Sequence, residues 1–424
     1  MKALIVGAGR MGYAAGLELL RRGFEVEVDY LDVNPKAIVP NGSVLYRLED
    51  TKHILATQDW ITSAAKKWDV IIGAAGYQLN EELTRAAIAT KTHFCDLGGN
   101  NDVVKKQLAM SAEAEKAGIV VIPDCGLAPG LACMLAARGI EILGGTADEV
   151  NIYVGGLPQD ETGPLKYALS WSVDGLINEY MEKAQIIEYG KLTEVDSLTG
   201  LEEDVHIEGS YEYLEAFYTS GGISTLVDTY LGKVQNLTYK TLRYHGHCEG
   251  VLQMKNLGMF DKDIVHGKTR REFTEALLNQ ILPKISKDNP DEVFVKVHIK
   301  NYNDHGEVEF SFHHEYDHEK DLSAMAVTTG FSIANVAYLL GTGKVKDHIY
   351  NKTRKLGGVI PGELALPLVE YIKLMEESGV KIHCGVMEDQ HRAKLLTKSK
   401  YRKTLQEKRW ANRVDNFITK WWRR

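Results

Sequence analysis

The sequence predicts an α/β protein: an N-terminal Rossmann-type doubly wound parallel sheet, then a second α+β domain with a largely antiparallel sheet. Three observations predict it. A short apolar strand runs directly into Gly7-x-Gly9-x-x-Gly12. Apolar runs alternate with helical patterns through the first third of the chain. From Glu149 onward the pattern changes to strands of alternating polarity.

The expected strands of the first sheet are Ala3 to Val6, Glu25 to Leu31, Val44 to Arg47, Val70 to Gly73, His93 to Leu97 and Ile119 to Pro123. Helices are expected from about Arg10, over Glu81 to Ala89 and over Asp102 to Lys116, and Pro129-Gly130 opens another that runs to about Leu143. In the second domain, Val150 to Val154 reads as a strand. Val293 to Ile299 reads as one arm of a hairpin with Glu307 to Phe312, turning through Asn303 to Gly306. Leu322 to Leu340 and Leu364 to Ser378 read as long helices, the latter after Pro361-Gly362. The expected division is 1–130 for dinucleotide binding, 131–355 for substrate binding and oligomerisation, 356–385 as a return toward the first domain, and 386–424 as a basic helical tail.

The glycine turn carries a physical requirement at each position. Gly7 permits the tight turn, Gly9 lets a pyrophosphate approach the backbone, and Gly12 lets the helix pack close to the strand. With Arg10 and Met11 between them, these residues put free N–H groups and the positive helix end against the phosphates. Asp32 ends the second strand and is placed to accept from the adenosine ribose hydroxyls. A 2′-phosphate would meet that carboxylate, so NAD is favoured over NADP.

A chain of 424 residues with 44% hydrophobic and 25% charged residues is long enough for two or three cores and is expected to be globular and cytoplasmic. No membrane span or signal-peptide pattern is read. The five cysteines are scattered and lack paired spacing, so neither a disulfide framework nor a zinc site is indicated. The net charge of −8 hides a basic end: from Gln390 onward, twelve Lys or Arg face only Glu407 and Asp415. Nucleic acid or an anionic membrane are possible partners for such a tail. Docking on an acidic surface of a homodimer or higher homo-oligomer is the preferred reading.

Ligands of doubly wound sheets lie beyond the carboxyl ends of the strands. There stand Ala74, Ala75 and Gly76 after the fourth strand, and Cys95-Asp-Leu-Gly-Gly-Asn-Asn101, with Gly98 and Asn100, after the fifth. After the sixth comes Asp124-Cys-Gly-Leu-Ala-Pro-Gly130. Asp96 and Asp124 converge near the nicotinamide end, where either serves as a general base or caps the following helix. Cys125 is either in contact range or a small buried hydrophobe. His245-x-His247-Cys248 and His313-His-x-x-x-His318 lack the spacing of a metal site, and no metal is expected.

Phe94 to Asn101, Asp124 to Gly130, Val154-Gly-Gly-Leu-Pro-Gln159 and Glu215-Ala-Phe-Tyr-Thr-Ser-Gly-Gly222 together resemble the saccharopine dehydrogenase-like superfamily, nearest its lysine 6-dehydrogenase branch, over residues 1 to 380. The resemblance implies NAD(P)-dependent oxidation of the amine end of a lysine-like amino acid. An ammonium with a pKa of about 10.4 has no lone pair to expel a hydride, so a base must first take its proton, and Asp96 and Asp124 match that role. For the far end of the substrate, Arg243 is the carboxylate clamp or a structural tie. Glu215 or Asp174 would answer an α-ammonium, Tyr218, Thr219 and Ser220 offer hydroxyls, and His245 and His247 stand beside Arg243.

Saccharopine reductases, as the family pattern implies, carry Arg where Asp174 stands and Asn-Arg-Asp-Ser where Phe217 to Ser220 stand. That departure favours a smaller, more cationic donor, whereas the retained Trp171 is saccharopine-like. The competing expectations are a saccharopine or carboxyalkyl-polyamine dehydrogenase acting on a secondary amine, and a dinucleotide-binding regulatory protein without turnover.

Overall fold

The computed structural model describes residues 1–388 apart from 24, 35, 48–53, 64–66, 162, 164, 208–212 and 303–305. The expected hairpin turn at 303–305 and the basic tail from 389 lie outside the described residues.

The first layer is a seven-stranded sheet, all parallel. Its first six strands in chain order are β1 (Lys2–Val6), β2 (Glu27–Asp32), β3 (Val44–Arg47), β4 (Val70–Gly73), β5 (His93–Asp96) and β6 (Val120–Ile122). Helices α1 (Arg10–Arg21), α2 (Ile54–Ser63), α3 (Asn80–Thr90), α4 (Asn101–Ala109), α5 (Ser111–Ala117) and α6 (Leu131–Ile142) connect them and lead out of the sheet. The helix expected over Asp102 to Lys116 is thus two helices, divided at the buried Met110.

The second sheet is mixed. It contains β7 (Ala147–Pro158), a β8 (Ala184–Glu188) and β9 (Lys191–Val195) ribbon, β10 (Glu202–His206), β11 (Tyr213–Tyr218), β12 (Val234–Arg243), β13 (Asp291–Asn301) and β14 (Gly306–Glu315). Its pairs are antiparallel except β7 with β12, which run parallel. Around it lie α7 (Val173–Met181), α8 (Leu226–Tyr230), α9 (His247–Asn256), α10 (Arg270–Ile281), α11 (Ala324–Gly341) and α12 (Lys344–Thr353).

The chain then returns to both sheets. Strand β15 (Gly358–Val359) extends the first sheet beside β6, and β16 (His383–Glu388) adds to β14. The order is β15-β6-β5-β4-β1-β2-β3 in the first sheet and β10-β11-β12-β7-β13-β14-β16 in the second. Between these strands the helix expected over Leu364 to Ser378 is two, α13 (Gly362–Ala365) and α14 (Leu368–Glu377). Pro367 causes the break. It holds Leu366 extended (φ −84°, ψ 144°) and has no N–H to donate.

One hydrophobic core joins the two sheets. Helix α11 lies in it, packed on α1, β4 and β5 on one side and β13 on the other. By length and composition α11 could cross a membrane, but its burial makes it the central core helix. Each of its large aliphatic side chains contributes about 1.5–3 kcal/mol by leaving water. A buried polar knot fastens α1 to α11 and α14. Glu18 pairs with Arg21 at 2.7 Å and Arg22 at 2.9 Å, and Ser378 donates to Glu18 at 2.7 Å. Arg22 also donates to Asn335. The long expected second-domain segment therefore supplies the helix that covers the first sheet, and the two cores share one wall.

Candidate active site

A cleft of about 780 Å³ opens where the carboxyl ends of β1, β4, β5 and β6 face the second sheet. Gly7, Gly9, Arg10, Met11, Asp32, Ala74, Ala75, Gly76, Gly98 and Asn100 all line it. Gly12 does not. A Cβ there would stand 2.0 Å from the Gly7 carbonyl oxygen, so its role is the close packing of α1 on the turn. Gly7 has φ +103°, and a Cβ would press on the Ala74 carbonyl. A Cβ on Gly9 would meet no protein atom within 4 Å and would point into open space at the start of α1. These residues fit a dinucleotide's pyrophosphate. Asp32 accepts from the backbone N–H groups of Ala8 at 2.5 Å and Asn34 at 2.6 Å, which fixes its carboxylate at the rim where a ribose would lie.

Beneath the Gly98-Gly99 floor lie the two aspartates, outside the cleft lining. Asp96 is sealed. One oxygen accepts from Gly98 N–H at 2.8 Å and the other from Gln107 at 2.7 Å. Burial raises its pKa to about 6, with the Gln107 bond opposing. Asp124 keeps a small exposure of 6% and an αL backbone, φ +59°. One of its oxygens accepts from the Ser224 hydroxyl, and the other, Oδ1, is buried without a partner. Burial first and the Asp96 charge second raise its pKa to about 7. Of the pair, Asp124 alone has an acceptor to offer. Cys125 is fully buried with its thiol on the Ile122 carbonyl, and burial raises its pKa well above the thiol range, so it is the small hydrophobe of the two expected readings.

The second domain brings Arg243 and Ser220 to the cleft, at the ends of β12 and β11. Arg243 is 4% exposed. Its guanidinium lies over the Tyr167 ring at 4.9 Å, donates to the Leu242 carbonyl through Nη1, and donates to the Tyr180 hydroxyl through Nε at 3.2 Å. Behind it, Tyr180 meets His247 at 2.9 Å, and His247 also meets the Leu165 carbonyl. Burial and the Arg243 charge lower the His247 pKa to about 3, so the ring is neutral and only orients Tyr180.

The other substrate-end expectations are corrected by the contacts. Asp174 pairs with Arg271 of α10 at 2.5 Å and is not part of the cleft lining. Glu215 accepts from the N–H groups of Gly246 and Cys248 and so caps α9 from an adjacent strand. Tyr218 stacks under the Lys240 ammonium at 4.7 Å, and Thr219 bonds Thr241 at 2.7 Å within the sheet. His245 is on the surface beside Asp204, and His247 is the histidine behind Arg243.

Glu179 went unrecognised in the sequence. Gly175, Asn178, Glu179 and Glu182 line the cleft as one face of α7, spaced i, i+3, i+4 and i+7, with Asp174 just off it. That spacing was the available signal. The Glu179 carboxylate has no hydrogen-bond partner among the described residues, and burial raises its pKa to about 7 against the pull of Arg243. Tyr77, Tyr167, Trp171, Tyr239 and Lys284 complete the wall. Trp171 donates to the Tyr167 hydroxyl at 3.1 Å, which steadies the ring under Arg243.

Elsewhere, Glu292, His313 and Glu315 stand within ligand distance of one another. His313 is bonded to Glu292 at 2.7 Å and stacked on Phe294, and Glu292 also accepts from Tyr244. These contacts account for the group as part of the sheet's packing.

Residues 3–122 match the model of the saccharopine dehydrogenase NADP binding domain, and residues 126–380 match that of the saccharopine dehydrogenase C-terminal domain. The chain belongs to the saccharopine dehydrogenase family. It is 29% identical over 203 residues to the NADP(+)-, L-glutamate-forming saccharopine dehydrogenase of Saccharomyces cerevisiae, covering 46% of this chain and 44% of that one. It is 26% identical over 277 residues to the mitochondrial alpha-aminoadipic semialdehyde synthase of Bos taurus, covering 62% of this chain and 29% of that one. The chain thus spans under half the length of these relatives. The fold of the apo yeast saccharopine dehydrogenase superposes with a TM-score of 0.70 at 18% identity, over 91% of this chain and 99% of that one. The family expectation therefore stands as membership of the saccharopine dehydrogenase family, with its dinucleotide-binding and C-terminal domains both present. These relatives bear saccharopine dehydrogenase and semialdehyde synthase names, not that of lysine 6-dehydrogenase.

Proposed function

We propose that this family member oxidises the carbon bearing the side-chain nitrogen of a lysine skeleton, with L-lysine or a close analogue as donor. The carrying observation is the presence of Arg243 and of Glu179, whose carboxylate has no hydrogen-bond partner among the described residues, in one cleft with the glycine turn. Arg243 receives the α-carboxylate and Glu179 the α-ammonium, which together read an amino-acid end. Asp124 takes a proton from the side-chain ammonium, leaving the lone pair that drives hydride loss from the adjacent carbon. A bound nicotinamide dinucleotide supplies the hydride acceptor. Loss of the hydride and the proton gives an imine, which water hydrolyses to a semialdehyde with release of the side-chain nitrogen as ammonia, and the semialdehyde cyclises onto its α-amine with loss of water.

The glycine turn and Arg10 hold the pyrophosphate and Asp32 the ribose, so NAD is the preferred dinucleotide. Among the described residues the one deeply buried cation of the wall is Arg243, whereas Arg10 and Lys284 are exposed. That balance, with Glu179 and Glu182 both lining the cleft, supports a donor with one carboxylate and two amines.

A second reading is favoured by the relatives' names: a secondary-amine donor such as saccharopine, whose oxidation at the same carbon releases glutamate. Rates of NADH and NADPH formation with L-lysine and with saccharopine separate the two. The lysine reading expects at least about 10-fold higher kcat/KM for lysine with NAD. The reverse preference establishes the secondary-amine reading. Dinucleotide binding without turnover of either donor, or of a carboxyalkyl-polyamine, overturns both in favour of a binding protein.

A further inference from the structure

We propose that Ser224 is a positioning residue for proton acceptance, holding the Asp124 carboxylate from the second domain through Oδ2 and leaving Oδ1, beneath Gly98, to accept the proton. This inference rests on the reading of Asp124 as the base. The first observation is the hydrogen bond itself, which crosses from the turn before α8 to the end of β6, with Ser224 donating to Asp124 Oδ2. The second is backbone conformation. Ser224 has φ +35° and Asp124 φ +59°, so both residues in the bond occupy a left-handed region that glycine tolerates better. Glycines stand close by at 221 and 222, yet position 224 keeps a hydroxyl.

The turn is held from its other side. The next residue, Thr225, donates to Glu363 of α13 at 2.9 Å, Thr229 donates to the same oxygen at 2.7 Å, and Leu226 is fully buried. A returning segment of the chain therefore fixes Ser224 against Asp124. With Oδ2 occupied by this donor, Oδ1 is the oxygen left to accept a proton, with the Gly99 N–H nearby.

The groups facing Asp124 set the sign of the expected effect. Asp96 on β5 and Glu363 on α13 disfavour its charge, as does burial, while the Ser224 bond and the Gly99 N–H favour it. Removing the hydroxyl withdraws support from the ionised form, so Asp124 should hold its proton to higher pH.

The test reads Asp124 directly by the infrared band of its protonated carboxyl, assigned as the band that disappears in Asp124→Asn, in the full-length protein. The midpoint of that band is expected to rise by about one pH unit in Ser224→Ala. It should rise likewise in Ser224→Gly and return to the wild-type value in Ser224→Thr. Ser224→Gly relieves the backbone while lacking the hydroxyl, so a purely structural role predicts a wild-type midpoint there, and that result overturns the proposal. An unchanged midpoint in Ser224→Ala overturns it too. The acidic limb of kcat should move with the band. If the band moves and kcat does not follow, Ser224 still tunes Asp124, and the assignment of Asp124 as the base is the part that fails.

Discussion

Replacing Asp124 with Asn should lower kcat by about 10²- to 10⁴-fold while leaving the dinucleotide dissociation constant within about twofold. The carboxylate lies below the floor of the cleft and holds no part of the glycine turn, so its loss removes a proton acceptor and little binding surface. Asp96→Asn should cost less, because both Asp96 oxygens are engaged by Gly98 and Gln107.

The same substitution should change stability in the opposite direction. Asp124 has its pKa raised from 3.8 to about 7. The folded state therefore binds this proton more tightly than the unfolded chain, and stability falls as pH rises from about 4 through about 7. Asparagine carries no charge to desolvate. Asp124→Asn should thus be the more stable protein at pH 8, by on the order of 1–4 kcal/mol, with the advantage shrinking toward pH 4. Thermal unfolding at the two pH values measures it. Equal Tm differences at both would contradict the assigned titration.

Arg243→Ala should reduce kcat/KM by about 100-fold or more, chiefly through KM. It removes the carboxylate clamp and also the cation that keeps Glu179 ionised, so the pKa of Glu179 should rise further above its present value of about 7. The KM defect should therefore deepen as pH falls below neutrality, where a protonated Glu179 no longer accepts from an ammonium. Arg243→Lys keeps the charge but not the planar fork over Tyr167, and should fall between wild type and Arg243→Ala. Steady-state kinetics from pH 6 to pH 9 test this, and an unchanged KM in Arg243→Ala would return Arg243 to a structural role.

The parts of this site that the sequence revealed are those whose constraint is local. Gly7 and Gly12 are fixed by atoms a Cβ would strike, and Asp32 by its place at the end of a strand, so motif and spacing suffice. The substrate end depends on faces and partners that only packing decides. Glu215 reads as a free carboxylate until its strand is seen beside the start of α9. Asp174 and Glu179 are both acids of one helix, but only Glu179 is on the face that α7 turns to the cleft, because Arg271 of another helix takes Asp174. In the His245-x-His247 pair, His245 lies in the turn after β12 and His247 begins α9, and the buried one serves Arg243. Long-range closure is equally hidden. Nothing local announces that Glu363 holds the turn carrying Ser224, or that α11 belongs between two sheets.

The most direct measurement is a crystal structure of the protein with oxidised dinucleotide and L-lysine at a pH below the turnover range. The account predicts the α-carboxylate on Arg243, the α-ammonium on Glu179, and the side-chain nitrogen within hydrogen-bond reach of Asp124 beside the nicotinamide. A side-chain nitrogen bound to Glu179 instead, with Asp124 still sealed beneath Gly98 and Gly99, would contradict it.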